Sequence, residues 1–288
     1  MNPVTRVTPE LWDRLTPFRD KAVEDGIPAE EVERWLAAAV RPCAALTRDG
    51  DGPVVGRFGG PLLLPADAPD PEHPFVASID LAALPADATD LPLPPDGRLL
   101  FFAFPETDSA ESQGSVVYVP VGTAVVERDR NAWNPLDEDD YEEMLDEFPE
   151  GPLRATAEVS LPYHPDVALP GGPLPEPARS EEFVALWDGT CADIAPDAPL
   201  QIGGYANEEA IDGDPVATAV WWATQAMEAG RWEGPVPQDV SKWVLLADWQ
   251  ARNDMEGWES STVHWVIQRE DLAARRFDRA FASVFWNP

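Results

Sequence analysis

Two aspartates and three aromatic side chains are the residues of this 288-residue chain with the clearest potential for ligand chemistry. Each aspartate ends a short apolar run, FVASID in the first half and WVLLAD in the second. Carboxylates attract cations, and aromatic faces bind both apolar rings and positive charge. A cleft lined by such side chains would suit a sugar or a cationic ligand. The five candidate ligand-binding residues are Asp80, Tyr205, Asp248, Trp249 and Trp265.

A structural role for both aspartates is the favoured alternative. A carboxylate at a strand end can accept backbone N–H groups and cap the next turn, whereas a catalytic pair needs a cleft and matched geometry. A glycine pair precedes each aspartate along the chain, Gly59–Gly60 before Asp80 and Gly203–Gly204 before Asp248. We expect these glycines to form structural turns with positive φ or close backbone approach. The matching order also indicates a possible internal duplication.

The signatures of the common enzyme classes are missing from the sequence. It contains no GxxxxGK[ST], GxGxxG, GxSxG or HExxH motif. The three histidines, His73, His164 and His264, are widely separated, and His264 lies in an apolar run where a packed histidine is favoured over a metal ligand. We therefore predict no catalytic residues, no metal site and no cofactor, and an enzyme is the less favoured class.

The charge balance limits the partners that the protein can bind. The chain has 53 acidic residues against 20 basic ones, a formal net charge of −33. Such a charge repels nucleic-acid backbones and anionic lipid surfaces. We therefore predict no nucleic-acid and no membrane binding, and we expect a monomer whose partner, if it has one, is a basic protein. For the acidity itself, a solvated surface that maintains solubility is favoured over a dedicated partner site.

Cysteine usage and hydropathy indicate the compartment. The two cysteines, Cys43 and Cys191, lie far apart without a CxxC motif, and the opening residues MNPVTRVTPELWDRL contain no apolar signal core. The longest apolar run, LLFFAF at 99–104, is too short for a bilayer, which needs about 20 residues. These features predict a cytoplasmic protein with reduced thiols.

Local signals predict helices near both ends of the chain and many strands. The 32 prolines are spread between apolar runs and indicate stiff, frequent loops. Helices are predicted from Pro9, from Pro28 to Pro42, over 137–150 and 181–187, from Asp214 to about Gly230, and over 269–285. Strands are predicted at 43–47, 54–58, 61–65, 75–80, 98–104, 115–121, 153–164, 243–249 and 261–267, and a strand followed by a turn is predicted at 199–205. The predicted fold class is α+β, a mostly antiparallel or mixed sheet with peripheral helices and many loops.

The segment 137–150 has its own two interpretations. It holds nine acids and no base, and apolar side chains recur at helical spacing at Tyr141, Met144, Leu145 and Phe148. The spacing predicts a helix that docks by this apolar stripe and turns its acids to water. Alternatively, the acidic face imitates a polyanion and binds a basic protein surface.

The order of these motifs resembles the YwqG-like bacterial proteins, a family of unknown function. The matching stretches are FGGPLLLP at 58–65, FVASIDLAALP at 75–85, GRLLFF at 97–102, IGGY at 202–205, WVLLADWQ at 243–250 and STVHWVIQREDLAARRF at 261–277. The family's usual glutamine before Ile-Asp is replaced by Ser78 and Ala247, which puts a shared binding site in doubt. The resemblance implies one α+β unit over 1–288. Separately, the Pro/Gly-rich stretch 162–177 is a candidate loop between two lobes, at about 1–160 and 178–288, and a plain surface loop is the alternative.

The resemblance supplies no established activity, so we infer the expected function from the net charge and from the motifs that are present or missing. The leading expectation is a non-catalytic cytoplasmic binding or interaction protein. Because YwqG-like proteins are encoded near bacterial toxin genes, the resemblance implies an accessory or immunity role. The alternative is a small-molecule binding protein or enzyme that uses the aromatic and acidic cleft for a sugar or cationic ligand.

Overall fold

One antiparallel sheet of ten strands organises the structure. The computed structural model describes residues 7–105, 111–130, 146–169, 177–195, 197–208, 211–251 and 261–286. The strands are β1 (Arg41–Thr47), β2 (Val54–Phe58), β3 (Leu62–Pro65), β4 (Phe75–Asp80), β5 (Arg98–Ala103), β6 (Gly114–Val119), β7 (Val125–Arg128), β8 (Gly151–Ser160), β9 (Leu200–Gly203), β10 (Trp243–Gln250), β11 (Ser261–Gln268) and β12 (Phe281–Trp286). The large sheet has the order β12-β11-β10-β9-β1-β8-β2-β4-β5-β6, and β3 and β7 form a separate ribbon.

The described helices have 4 to 14 residues and lie outside the sheet. They are α1 (Pro9–Asp13), α2 (Thr16–Glu24), α3 (Ala29–Ala39), α4 (Pro177–Asp188), α5 (Cys191–Ile194), α6 (Pro215–Glu228) and α7 (Arg269–Ala273). The predicted starts of α1 and α6 are confirmed by side-chain caps: Thr8 Oγ1 accepts from Leu11 N at 3.3 Å, and Asp214 Oδ1 accepts from Val216 N at 3.0 Å. Within the described residues, no helix has the length and apolar character needed to cross a bilayer.

The two outer strands of the sheet approach each other and correct the predicted fold class. Gln113, just before β6, donates its backbone N–H to the carbonyl of Ala282 in β12 at 2.9 Å. The backbone N–H of Ala282 donates to Ser112 Oγ, also at 2.9 Å. The sheet therefore nearly closes on itself. The α+β class is wrong, because a single sheet dominates the fold and the helices are few.

The end of the chain accounts for part of that error. The helix predicted over 269–285 is only α7, followed by a 3-10 turn at Phe277–Arg279 and by β12. Arg275 ends α7 because it adopts φ 59°, outside the helical region. The following FASVFW is rich in aromatic and β-branched residues, and it pairs antiparallel with β11.

The sheet joins residues from both halves of the chain. β1 pairs with β8 on one side and with β9 on the other, so strands before and after residues 162–177 lie in one sheet. The possible division into lobes at 1–160 and 178–288 stays a prediction. Most of the acidic segment 137–150, including Tyr141, Met144 and Leu145, lies outside the described residues, but Phe148 is buried.

Aromatic side chains fill the main core between the faces of the curved sheet. Trp249 and Trp265 are fully buried there, and the Trp265 ring meets the Phe101 ring edge-on at 5.1 Å. Burial of a large apolar side chain stabilises the fold by about 1.5–3 kcal/mol. A second core lies under the helices α1 to α4, where the Trp35 ring stacks on the Phe183 ring at 4.6 Å. A third core packs α6 against Trp243, Leu245, Val266 and Phe281 of the strands β10, β11 and β12.

Candidate functional site

The five candidate ligand-binding residues lie in separate environments. Trp249 and Trp265 belong to the main core, where Trp265 Nε1 donates to the Phe102 carbonyl at 3.1 Å. Asp80 is exposed at the end of β4, and its Oδ1 accepts from Ala82 N at 3.0 Å, which caps a 3-10 turn. Both tryptophans therefore pack, and Asp80 has the capping contact expected of a strand-end carboxylate.

Tyr205 and Asp248 lie outside the main core. Tyr205 is buried under the helical layer and donates its hydroxyl to the Ala39 carbonyl at 2.6 Å. Asp248 follows Ala247 in β10, and its side chain points to the face opposite that of Trp249, because neighbouring strand residues alternate. The structure thus places the two tryptophans in the main core and the other three residues outside it, and the cavities described below connect none of the five with another.

A buried histidine between two carboxylates is the most distinctive polar cluster. His264 Nδ1 lies 3.4 Å from Asp248 Oδ2, and His264 Nε2 lies 3.6 Å from Glu208 Oε2. The side chains of His264 and Glu208 are fully buried, and that of Asp248 is 4% exposed. Asp248 and His264 are direct cross-strand partners in β10 and β11, which fixes their proximity. We call these three residues the acid–histidine cluster.

The turn at Gly203–Gly204 brings Glu208 to this cluster. Both glycines have positive φ, 73° and 72°, as do Gly59 and Gly60 in the first half at 57° and 80°. A side chain on Gly204 would come within 2.9 Å of the Cβ atoms of Cys43 and Ser160. Glycine therefore lets the chain leave β9 tightly and cross the outer face of the sheet.

Backbone and cation contacts hold the crossing segment in place. Tyr205 N donates to Ser160 Oγ at 3.0 Å, and Asn207 N donates to Asp248 Oδ2 at 3.3 Å. Arg41 donates to the Gly204 carbonyl at 2.7 Å and forms a two-bond pair with Asp90 at 2.8 and 3.0 Å. The sequence reasoning missed Glu208 and Arg41, because neither belongs to a motif and their partners are distant along the chain.

The electrostatics of the cluster favour a charged imidazole. Burial alone lowers the pKa of His264, but Asp248 and Glu208 outweigh it and raise that pKa to about 9. Nearby His164 is also buried, and burial lowers its pKa. Burial likewise raises the pKa of Asp214, the α6 cap, to about 6. The cluster can store a proton, but a general acid or base must reach its substrate, and these side chains are sealed from solvent.

Three surface cavities lie elsewhere on the described residues. One of about 380 Å³ is lined by Trp35, His164, Asp166 and Glu181 beside the helical layer. A second, of about 440 Å³, includes Lys21 and Arg179. The third, also of about 440 Å³, is lined by Arg57, Ser78, Asp80 and Arg98 on the outer face of the sheet. Among the described residues, no group of three or more His, Cys, Asp and Glu side chains could hold a metal ion.

The chain belongs to the family described as "Domain of unknown function (DUF1963)", whose model matches residues 56–284. No curated protein matches the chain. The matched region contains both glycine pairs, the acid–histidine cluster and the groove around Arg57. The two positions at which the expected glutamine is absent differ in setting: Ser78 faces the groove, whereas Ala247 is in the main core.

Proposed function

We propose that this protein is a non-catalytic binding protein whose partner carries positive charge, and that the partner is a basic protein. The observation that carries the proposal is the large excess of carboxylates over bases, 53 against 20. The resulting net charge of −33 already counts every base, and several of the bases form ion pairs with acids. Arg128 Nη1 lies 3.3 Å from Asp70 Oδ1, and Arg130 Nη1 lies 2.8 Å from Glu150 Oε1. A surface of this kind attracts and steers cationic partners.

The acid–histidine cluster supports the non-catalytic class. Strongly shifted pKa values commonly mark active sites. Here His264, whose pKa is raised, is fully buried and already faces the carboxylates of Asp248 and Glu208. Its environment suits a structural clasp between β10, β11 and the segment after Gly204.

The finer assignment is also a proposal. The YwqG-like motifs lie entirely within the matched region, which supports a YwqG-like identity and a cytoplasmic accessory or immunity role in a bacterial toxin system. An immunity protein must bind its toxin, and an acidic surface suits a basic toxin or nuclease. This role is tested by measuring direct binding of the purified protein to basic proteins that are encoded beside its own gene.

Charge reversal tests the proposed function and locates the surface. One variant replaces Asp139, Asp140, Glu143 and Glu147 by lysine, and a matched variant replaces four exposed acids of the helical layer, Asp13, Asp20, Glu24 and Glu30. We expect one variant to lose the partner captured from native lysate at low salt while its melting temperature stays near that of the wild type. If both variants keep the same partners and capture is insensitive to salt, recognition by charge is wrong.

A further inference from the structure

The groove on the outer face of β2, β4 and β5 combines features of a small-molecule site. Its volume is about 440 Å³, within the range of ligand pockets. Its polar lining consists of Arg57, Ser78, Asp80 and Arg98. We call it the arginine groove. It is separate from the acid–histidine cluster and from the proposed binding of a basic protein.

Strand register places the four polar side chains on one face. Arg57 of β2 is the cross-strand partner of Ser78 in β4, and Asp80 of β4 is the partner of Arg98 in β5. Ser78 and Asp80 are two residues apart in one strand and therefore point to the same side. Two guanidinium groups, a hydroxyl and a carboxylate thus line one surface of adjacent strands.

The two arginines of the groove differ from many other bases of the protein. Among the described residues, neither Arg57 nor Arg98 has a carboxylate within the 4.0 Å that defines an ion pair, although Asp80 is a neighbour of Arg98 across the strands. The Arg57 side chain has only a long contact, from Nε to the Phe58 carbonyl at 3.5 Å. Both side chains are exposed to the groove. In a chain with 53 acids, this arrangement leaves two cations available to a ligand.

The glycine pair after β2 makes room for one of these cations. Gly60 has φ 80°, and a Cβ at this position would lie 2.3 Å from Arg57 Cζ. The guanidinium therefore lies against the glycine backbone, where any side chain would displace it. β2 also carries an irregularity between Val54 and Gly56 in its pairing with β8, a kind of distortion that is common beside binding sites.

The charges of the groove select the ligand. A guanidinium binds carboxylates through paired hydrogen bonds, and an aspartate attracts an ammonium group. A phosphate dianion would also suit two arginines, but the net charge of −33 repels it, whereas a neutral zwitterion approaches without that penalty. We propose that the arginine groove binds a small zwitterion of α-amino-acid chemistry, its carboxylate at Arg57 and Arg98 and its ammonium at Asp80.

Titration with defined probes tests this proposal. The probes are the L-amino acids individually, the N-acetyl and amide derivatives of any that bind, and inorganic phosphate, with binding measured by calorimetry and by NMR shifts. We expect a free amino acid to bind, and both derivatives to bind about tenfold or more weakly, because each lacks one charged contact. Absence of binding by every amino acid, or preference for phosphate, would overturn the proposal.

Four variants assign the contacts. Arg57→Gln and Arg98→Gln should each weaken amino-acid binding about tenfold, and Asp80→Asn should do so while keeping an oxygen to cap Ala82. Gly60→Ala should also weaken binding, because it displaces the Arg57 guanidinium. The matched control is Arg34→Gln, an exposed arginine on α3, which should bind as the wild type does. Urea unfolding shows that each variant is folded. Unchanged affinity in both groove-arginine variants would contradict the site.

Discussion

His264 is charged inside the protein because two carboxylates face it from different parts of the chain. Asp248 comes from the neighbouring strand, and Glu208 comes from the segment that Gly203–Gly204 directs across the sheet. Removal of one member of a buried ion pair lowers the stability of the fold strongly, because the remaining charge stays buried without a compensating partner. The cluster thus links the second glycine pair to the stability of the fold.

Replacement of the histidine measures that link. We expect His264→Gln to lower the free energy of unfolding by about 3–5 kcal/mol, the usual cost of breaking a buried ion pair. Urea unfolding provides the measurement, and Asp248→Asn with the double variant provides the control. The double variant should lose clearly less than the sum of the two single losses, since both remove the same interaction. Additive losses would show that the two residues act independently.

The raised pKa of His264 predicts a pH dependence of stability. The folded pKa is about 9, and the unfolded value is about 6.5, so the folded state binds the additional proton between these values. The resulting stability is complete below about pH 6.5 and is lost as pH rises toward 9. The slope is at most about 1.4 kcal/mol per pH unit.

Unfolding measured from about pH 6.5 to about pH 8.5 tests this slope. Above that range, the raised pKa of buried Cys43 adds a further loss, because the unfolded thiol ionises first. Below it, Asp214 titrates, with a folded pKa of about 6. His264→Gln should flatten the profile within the range. A wild-type profile that is level or rises with pH would contradict the charged imidazole.

At the scale of elements, α7 ends at a residue with a left-handed backbone conformation, which glycine adopts more readily than arginine. Arg275 has φ 59°; its N–H donates to the Leu272 carbonyl, and Arg276 N donates to the Asp271 carbonyl at 2.9 Å. These contacts satisfy the last carbonyls of the helix and turn the chain toward β12. A non-glycine residue in this conformation costs about 1–2 kcal/mol.

Substitution at this position should therefore stabilise the protein. We expect Arg275→Gly to raise the free energy of unfolding by about 0.5–1 kcal/mol, because Arg275 is exposed and glycine removes the strain. The adjacent Ala274, with φ −86°, is the control: Ala274→Gly should lower stability, since its conformation gains nothing from glycine. If both glycines shift the urea midpoint in the same direction, the account of the helix end fails.

Elements with local signals could be predicted from the sequence, and those made by distant contacts could not. Thr8 and Asp214 cap helices by contacts within three residues, so their helix starts were predictable. β12 depends on pairing with β11 and on the hydrogen bonds of Ala282 to residues 112 and 113. The apolar spacing of 269–285 carries no information about these distant contacts. The segment was therefore wrongly predicted as one helix, which contributed to the wrong fold class.

The candidate site shows the same limit. Asp248 was found because it ends a recognisable apolar run, but Glu208, the second carboxylate that faces His264, lies in a loop without a sequence motif. Asp80 was also found, yet the arginines beside it became visible only through the register of β2, β4 and β5. Trp249 and Trp265 were candidates because aromatic side chains often bind ligands. Their burial in the core depends on which face of each strand turns inward, which the sequence did not show.

At the scale of the whole molecule, a nearly closed sheet buries large aromatic side chains such as Trp249 and Trp265 and leaves an outer surface with excess negative charge. The chain's net charge of −33 acts at long range, beyond any single ion pair. Exposed charges are screened over about 8 Å at physiological ionic strength, so recognition that depends on them must weaken as salt rises. Binding of a positively charged protein should therefore weaken measurably as the salt concentration rises.

The decisive measurement is the affinity of the purified chain for a partner identified by mass spectrometry after capture, titrated from about 0.05 to about 0.3 M salt. We predict a basic partner whose Kd rises about tenfold or more over this range, with most of the change in the association rate. The charge-reversed variant that loses capture should also lose most of this salt dependence. A neutral or acidic partner, or a Kd that stays constant across the salt series, would contradict the account.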